Sequence, residues 1–382
     1  MTVTVRPVSS EAELDAWVRF PRTRIYPPAS PWVPPLDRDV TRLLDRGANP
    51  FFQHGEATPL LAYGASGEVM GRILAHVYHP HNQRHDERTS FFGFFECQDD
   101  QEVATALVRA AAACGAGWDC DTLRGPYNLT AMQEMGVLVD GFQHAPAVDQ
   151  TYTPPYYPRL LAGAGLRQTF PHTTYRLDDV RTVDVGGLLG ERHRILTVER
   201  RLRVRTARMR DFDRELETLR VLLNESFAEL SFFVPLTTEE LAFQVGAYRA
   251  FLDPSLLLVA EMDGVPRGFV LAVPDFNPLL KRLKGYLDAR RVASVVPDIG
   301  GWLWRRDACL VIQGVERRLQ GQGIMRVLHA HLLRNLRWRR YRALSVTWIG
   351  EDNPRSAASV EAFGAKPCHR LTLFENAISA LT

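Results

Sequence analysis

The segment Gln320-Gly321-Gln322-Gly323-Ile324 has residue types and spacing that suit one task, the binding of a phosphate. It lies between an apolar run, Cys309 to Ile312, and a run patterned as a helix, Ile324 to Leu336. A strand, a glycine turn and a helix start in that order leave backbone N–H groups with no partner inside the helix, and the helix dipole favours an anion there. Gly321 and Gly323 lack a Cβ, so the backbone can approach a ligand closely. The same residues also suit an ordinary strand-to-helix turn that binds nothing, because short glycine motifs recur by chance.

The elements that follow the turn narrow the choice. Ile324, Leu328, Leu332 and Leu336 make one helical stripe, and Leu344, Val346 and Trp348 alternate with Ser345, Thr347 and Ile349 as a strand does. Asn353-Pro354-Arg355-Ser356 then opens a short helix that ends near Phe363-Gly364-Ala365, and a β-like tail runs from Arg370 to Phe374. The stretch Val315 to Met325 resembles the pyrophosphate loop of GNAT-type acyl-CoA N-acyltransferases, Q/R-x-x-G-x-G/A, and the Asn353 segment resembles that family's second motif. Gln320 and Gly323 match the loop, while Met325 stands where the family has a small residue; a second register, Arg318-x-x-Gly321-x-Gly323, satisfies the pattern fully. The resemblance covers residues 255 to 375. It implies acyl-CoA as co-substrate, bound by Gln313, Val315, Arg318, Gln320, Gly321, Gln322, Gly323, Ile324, Asn353 and Ser356, with no metal.

Such a reaction needs a base to deprotonate an amine, a donor for the oxyanion formed at the thioester carbonyl, and sometimes an acid for the departing thiolate. The resemblance places the oxyanion donor on a backbone N–H near Gln313 to Val315, and the family's tyrosine acid at Val360, which has no proton to give. Tyr156 or Tyr157 is a substitute candidate, and either serves equally as a core tyrosine. Two-residue alternation puts Asp307, Cys309, Val311, Gln313 and Val315 on one strand face. Asp307 and Glu316 are therefore base candidates; the plainer reading makes them salt-bridge partners of Arg305, Arg306, Arg317 or Arg318. Asn128 and Glu134 lie in a polar, glycine-rich stretch that suits either a substrate head group or turn capping. Asn224-Glu225-Ser226-Phe227 falls where the family places acceptor-binding helices, and packing explains it as well. His76, His79, His81 and His85 lack the Cys or carboxylate spacing of a metal site.

At 382 residues the chain exceeds one ordinary core. The reading is an α/β protein with two tandem GNAT-like domains, each a mixed, mostly antiparallel sheet flanked by helices: residues 1–180, a linker at 181–201, and 202–382 with an insertion at 274–306. Where the second half has its glycine loop, the first has Cys97-Gln-Asp-Asp-Gln-Glu102, whose carboxylates would repel a pyrophosphate. Only the second half is therefore expected to bind CoA. A net charge of +2 and 46% apolar residues argue against disorder and wholesale nucleic-acid binding. The five cysteines read as reduced, no apolar run reaches membrane-spanning length, and Met-Thr-Val-Thr-Val-Arg lacks a signal-peptide pattern, so a cytoplasmic protein is expected.

The insertion carries an apolar stripe, Leu279, Leu280, Leu283, Tyr286 and Leu287, among cations, then Trp302-Leu303-Trp304. Residues 278–306 thus suit a cover for the core or a peripheral contact with the inner membrane face. Phe91-Phe-Gly-Phe-Phe-Glu96, Arg124-Gly-Pro126 and Pro274-Asp-Phe-Asn277 resemble bacterial proteins of the YghO-like group, related to proposed bacterial ceramide synthases, and Asn277 joins the substrate-binding candidates on that ground. That resemblance implies transfer of a long-chain acyl group to a sphingoid-base amine. The alternatives are acetylation of a small amine or peptide, and acyl-CoA binding without catalysis.

Overall fold

The computed structural model describes residues 3–246, 252–304 and 306–381; the side chains of 191–194, 199, 298–299 and 301–305, among them Trp302 and Trp304, lie outside the described residues. In chain order the strands are β1 (Thr4–Pro7), β2 (Gly55–Tyr63), β3 (Val69–Tyr78), β4 (Thr89–Cys97), β5 (Thr122–Gly125), β6 (Val137–Asp140), β7 (Arg167–Leu177), β8 (Leu202–Thr206), β9 (Leu257–Met262), β10 (Val265–Pro274), β11 (Ala308–Val315), β12 (Leu344–Gly350) and β13 (Lys366–Ala377). They fall into two compact units, the first made of residues 1–172, 280–293 and 369–382, the second of 173–279 and 294–368.

The units repeat one plan. In the first, the order is β1-β2-β3-β4-β5-β13, with β6 also on β13, and β4–β5 is parallel where the other pairs are antiparallel. In the second, β8, β9, β10 and β11 are antiparallel neighbours, β11 pairs with β12 in parallel, and β7 lies beside β12. Each unit is thus a mixed, mostly antiparallel sheet flanked by helices. The last strand of the first unit comes from the C-terminal end of the chain, and the second unit takes in the end of β7.

Local chemistry sets these elements. Asp263 (φ 51°) and Gly264 (φ 78°) turn β9 into β10 with Met262 opposite Val265, the left-handed pair that a tight hairpin requires. The helix Ile324–Trp338 buries Ile324, Val327, Leu328, Leu332, Leu333 and Leu336, packed with Leu258, Val270, Leu310, Leu344 and Val360 in the second unit's core. Each such side chain taken out of water contributes about 2 kcal/mol. The first unit's core joins Ile73, Phe92, Leu107, Leu123, Tyr157 and Phe374.

The expected linker carries helical turns over Val185–Arg194, interrupted by non-helical backbone at Gly190 (φ 48°, ψ −168°), and Val185 and Leu196 are buried in the second unit's core. The insertion forms the helices Asn277–Leu283 and Ala289–Trp304. Within the first unit, Gly285 O accepts from Asp37 N at 2.9 Å, Lys281 Nζ donates to Ser30 O at 2.6 Å, and the Arg22 guanidinium lies 4.4 Å from the Tyr286 ring centre. Leu283 is buried, whereas Leu287, Val292 and Val296 face solvent. Among the described residues no helix is long and apolar enough to cross a membrane.

Candidate functional site

In the second unit β11 and β12 pair only from Ala308–Leu344 to Leu310–Val346. The Thr347 hydroxyl then donates to Val311 O at 2.8 Å, and no further ladder pair joins the strands as β11 runs on to Val315 and β12 to Gly350. A cavity of about 990 Å³ opens there. Its lining includes Gln313, His329 and Ser359, and also Ser226 and Phe227. Successive strand residues point to opposite faces. Gln313 hydrogen-bonds to His329 and Ser359, while a Cβ on the next residue, Gly314, would lie 2.7 Å from Ser226 Oγ. The cavity therefore passes through the sheet, from the face covered by the helices Ile324–Trp338 and Pro354–Glu361 to the face covered by Phe212–Ser226.

The glycine turn forms one wall. Gly321 and Gly323 have φ of 76° and 97°, a region that side chains with a Cβ rarely adopt. The backbone amides of Gly321, Gly323, Ile324, Met325 and Arg326 make no hydrogen bond to the described residues, so a row of donors is open at a helix N-terminus. Gln320 Nε2 donates to Val315 O at 3.3 Å and Gln322 Nε2 to Arg318 O at 3.1 Å, which ties the turn to the end of β11. Ile324 is buried as an anchor, and Met325 packs partly against the core, which accommodates its size. Asn353 caps the next helix by accepting from Ser356 N at 3.2 Å, and both residues line the cavity. Val360 is fully buried.

Sequence reasoning passed over one lining residue, His329, and took in another, Ser226, only as part of a segment. His329 is buried, with Nε2 2.5 Å from Gln313 Oε1; burial drives its pKa down to about 3 against a hydrogen bond to the Ser359 backbone, so the imidazole is neutral. A histidine inside an otherwise apolar helix stripe was the available signal. Ser226, named within a candidate segment, has a buried hydroxyl with no hydrogen-bond partner among the described residues.

The expected carboxylates sit elsewhere. Asp307 is not among the lining residues; its carboxylate accepts from Arg176 and Arg342, each at 2.9 Å. Burial alone would raise its pKa, yet the Arg342 and Arg176 hydrogen bonds hold it below the ordinary aspartate range. Glu316 is 2% exposed and bonded to Arg267 at 2.5 Å and to Arg318, beside a separate hollow that Glu225, Arg267, Arg317 and Arg318 also line. Both carboxylates are tied into ion pairs. Asn224 spends its amide on Leu236, donating to the carbonyl at 3.0 Å and accepting from the N–H at 2.9 Å. Asn277 is buried at a helix start, its backbone N–H donating to Asp275.

The first unit has the same parting of strands, since β4 and β5 pair only from Thr89–Thr122 to Phe91–Arg124. Here the gap is filled. Tyr127 N donates to Phe92 O, and Phe94 N donates to Asn128 Oδ1, both at 2.7 Å. A Cβ on Gly93 would lie 2.5 Å from Tyr127 O, so the segment packs tightly against bare backbone. The helix Gln101–Gly117 has its N-terminus capped by Asp100, which accepts from Glu102 N at 2.8 Å and Val103 N at 3.2 Å. A carboxylate thus occupies the place an anion would need. Tyr156 donates to Cys97 O at 3.0 Å, and burial raises its pKa further above the ordinary phenol value. Glu134 is exposed, and its backbone carbonyl accepts from Asn128 N at 3.0 Å.

No family model matches the chain. It is 27% identical to Protein YghO of Escherichia coli (strain K12), over 98% of this chain and 95% of that protein. It is likewise 27% identical to a bacterial ceramide synthase of Caulobacter vibrioides (strain NA1000 / CB15N), over 98% of each. Among solved structures, a tandem GNAT protein from the clavulanic acid biosynthesis pathway superposes with a TM-score of 0.56 at 15% identity, covering 99% of both chains. With its twofold sheet plan and these near full-length likenesses, the chain carries the tandem GNAT fold and is similar over nearly its whole length to YghO and to a bacterial ceramide synthase.

Proposed function

We propose that this protein is an acyl-CoA-dependent N-acyltransferase whose active cleft is the through-sheet cavity of the second unit. The observation that carries the reading is the set of amides, Gly321 and Gly323 to Arg326, that make no hydrogen bond to the described residues at a helix N-terminus, opening on a cavity with access from both sheet faces. The amides bind the pyrophosphate of CoA, and Gln320, Gln322, Asn353 and Ser356 frame it. The thioester then reaches the gap between β11 and β12. Because Val311 O faces β12, alternation turns the Gln313 N–H the same way, where it donates to the oxyanion. The amine nitrogen attacks the carbonyl carbon and the C–N bond forms; the C–S bond then breaks with its electron pair on sulfur, and the proton lost by the nitrogen passes through water to solvent or to the departing thiolate. A thiolate is stable enough to depart without an acid at Val360.

For the finer substrate we propose a long-chain acyl group and a sphingoid-base amine. The support is near full-length similarity to a protein named ceramide synthase, together with the apolar cavity wall of Phe227 and Leu230. The test is thiol release from acetyl-, octanoyl- and palmitoyl-CoA, with and without sphinganine, polyamines and amino acids. Release that requires both palmitoyl-CoA and sphinganine is expected. Turnover of acetyl-CoA with a small amine would replace the lipid substrate, and CoA binding without release across the panel would remove the enzymatic reading.

A further inference from the structure

The helix Phe212–Ser226 ends on a hydroxyl that its own fold leaves unused. A serine at such a position ordinarily bonds back to a carbonyl one turn earlier or to a neighbouring polar group. Ser226 Oγ is shielded from solvent and has no hydrogen-bond partner among the described residues, although the residue lines the through-sheet cavity. It faces the bare backbone of β11 at Gly314, where a Cβ would come within 2.7 Å of Ser226 Oγ and 2.8 Å of the Phe269 ring. A buried hydroxyl without a partner lowers stability, so packing gives no reason for it. A ligand atom that completes the hydrogen bond does.

Beside it, Glu225 lines the same cavity with an exposed carboxylate that makes no hydrogen bond or ion pair to the described residues. Beyond the two polar groups the wall turns apolar at Phe227, whose ring stands edge-on to Phe233 at 5.5 Å, and at Leu230. In order, the surface offers a negative charge, a hydrogen-bonding hydroxyl and an apolar wall. The matching molecule is an amphipathic amine with a cationic nitrogen, a hydrogen-bonding atom close to it, and a hydrocarbon tail. We infer that Glu225 and Ser226 form the acceptor head-group site and select an amine that bears a hydroxyl next to its nitrogen over the same amine without one. This rests on the N-acyltransferase reading and assigns the acceptor side of that site to Ser226, two residues after Asn224, whose amide only pins Leu236.

The experiment measures amine binding by calorimetry to the full chain saturated with free CoA, so that no turnover intervenes. The probes are sphinganine and octadecylamine in mixed micelles, with wild type, Ser226→Ala and Glu225→Gln. Wild type should favour the amino alcohol by at least about tenfold, since a group left unpaired in a site made to pair it is strongly disfavoured. Ser226→Ala should bring that preference below about threefold while CoA affinity and melting temperature hold or rise. Glu225→Gln should weaken both amines by a similar factor. A preference that survives Ser226→Ala, a lower melting temperature for that variant, or no preference in wild type would overturn the assignment. If the preference follows Ser226 but no acyl-CoA gives transfer, the head-group site stands and the enzymatic reading falls; transfer without the preference has the opposite meaning.

Discussion

Gly321 and Gly323 separate two ways in which a residue can shape a binding loop. A Cβ on Gly321 would meet nothing within 4 Å, so the residue is needed only for its φ of 76°. Gly321→Ala should therefore act through backbone strain of about 1–2 kcal/mol, turning loop amides away and weakening CoA roughly tenfold with little change in melting temperature. Gly323→Asp adds a carboxylate beside the open amides as well as strain at φ 97° and should cost at least about a hundredfold in affinity. Calorimetric titration with CoA reads both, and unchanged affinity in Gly323→Asp would remove the pyrophosphate assignment. These glycines were legible in the sequence because a left-handed turn admits few other residues. Ser226 and His329 were not, because a hydroxyl without a partner and a neutral buried imidazole are products of tertiary packing.

At the scale of elements, the same strand-to-helix junction occurs twice and is finished differently. One helix N-terminus has free amides behind two glycines; the other is closed by Asp100, with Tyr127 and Asn128 in the gap where a thioester would lie. Asp100→Ala should cost about 1 kcal/mol of stability through the lost cap, read by urea unfolding, and should leave CoA stoichiometry at one site because the gap remains filled. A second equivalent of CoA bound by the variant would show that the cap alone closes this junction. The contrast was legible, since Asp99, Asp100 and Glu102 stand where the other half has glycine. Segment 181–201 was harder to read: its charges and glycines resemble a linker, and it carries helical turns because Val185 and Leu196 find apolar partners far away in sequence. The path of β13 is likewise set by pairing with β5 and β6, which no local pattern encodes.

Over the whole molecule, buried titratable groups of opposite sign set the response to acid. Burial lowers the pKa of His76 and His172 to about 4 in the first unit and of His329 to about 3 in the second. In the unfolded chain each titrates near 6.5, so below that pH the unfolded state binds protons that the folded state refuses. Their stabilising contribution is complete above about 6.5 and is lost as pH falls, by about 1.4 kcal/mol per unit for each histidine. Glu96 works the other way. Burial outweighs the Arg72 charge and the Tyr157 hydrogen bond, 2.6 Å long, and lifts its carboxyl to about 7. Its contribution is complete below about 4.5 and is lost as pH rises to about 7. Between about pH 5 and 6.5 Glu96 therefore offsets one of the histidines. Wild type should lose stability on acidification through that window, and Glu96→Gln should lose it more steeply, by about 1.4 kcal/mol per pH unit, because the offset is gone. The His329→Asn variant should instead flatten the slope of the second unit by the same amount. Denaturant unfolding at half-unit pH steps measures both; an unchanged slope in Glu96→Gln would mean that Glu96 is ionised in the folded protein through this window and paired with Arg72 as a conventional salt bridge.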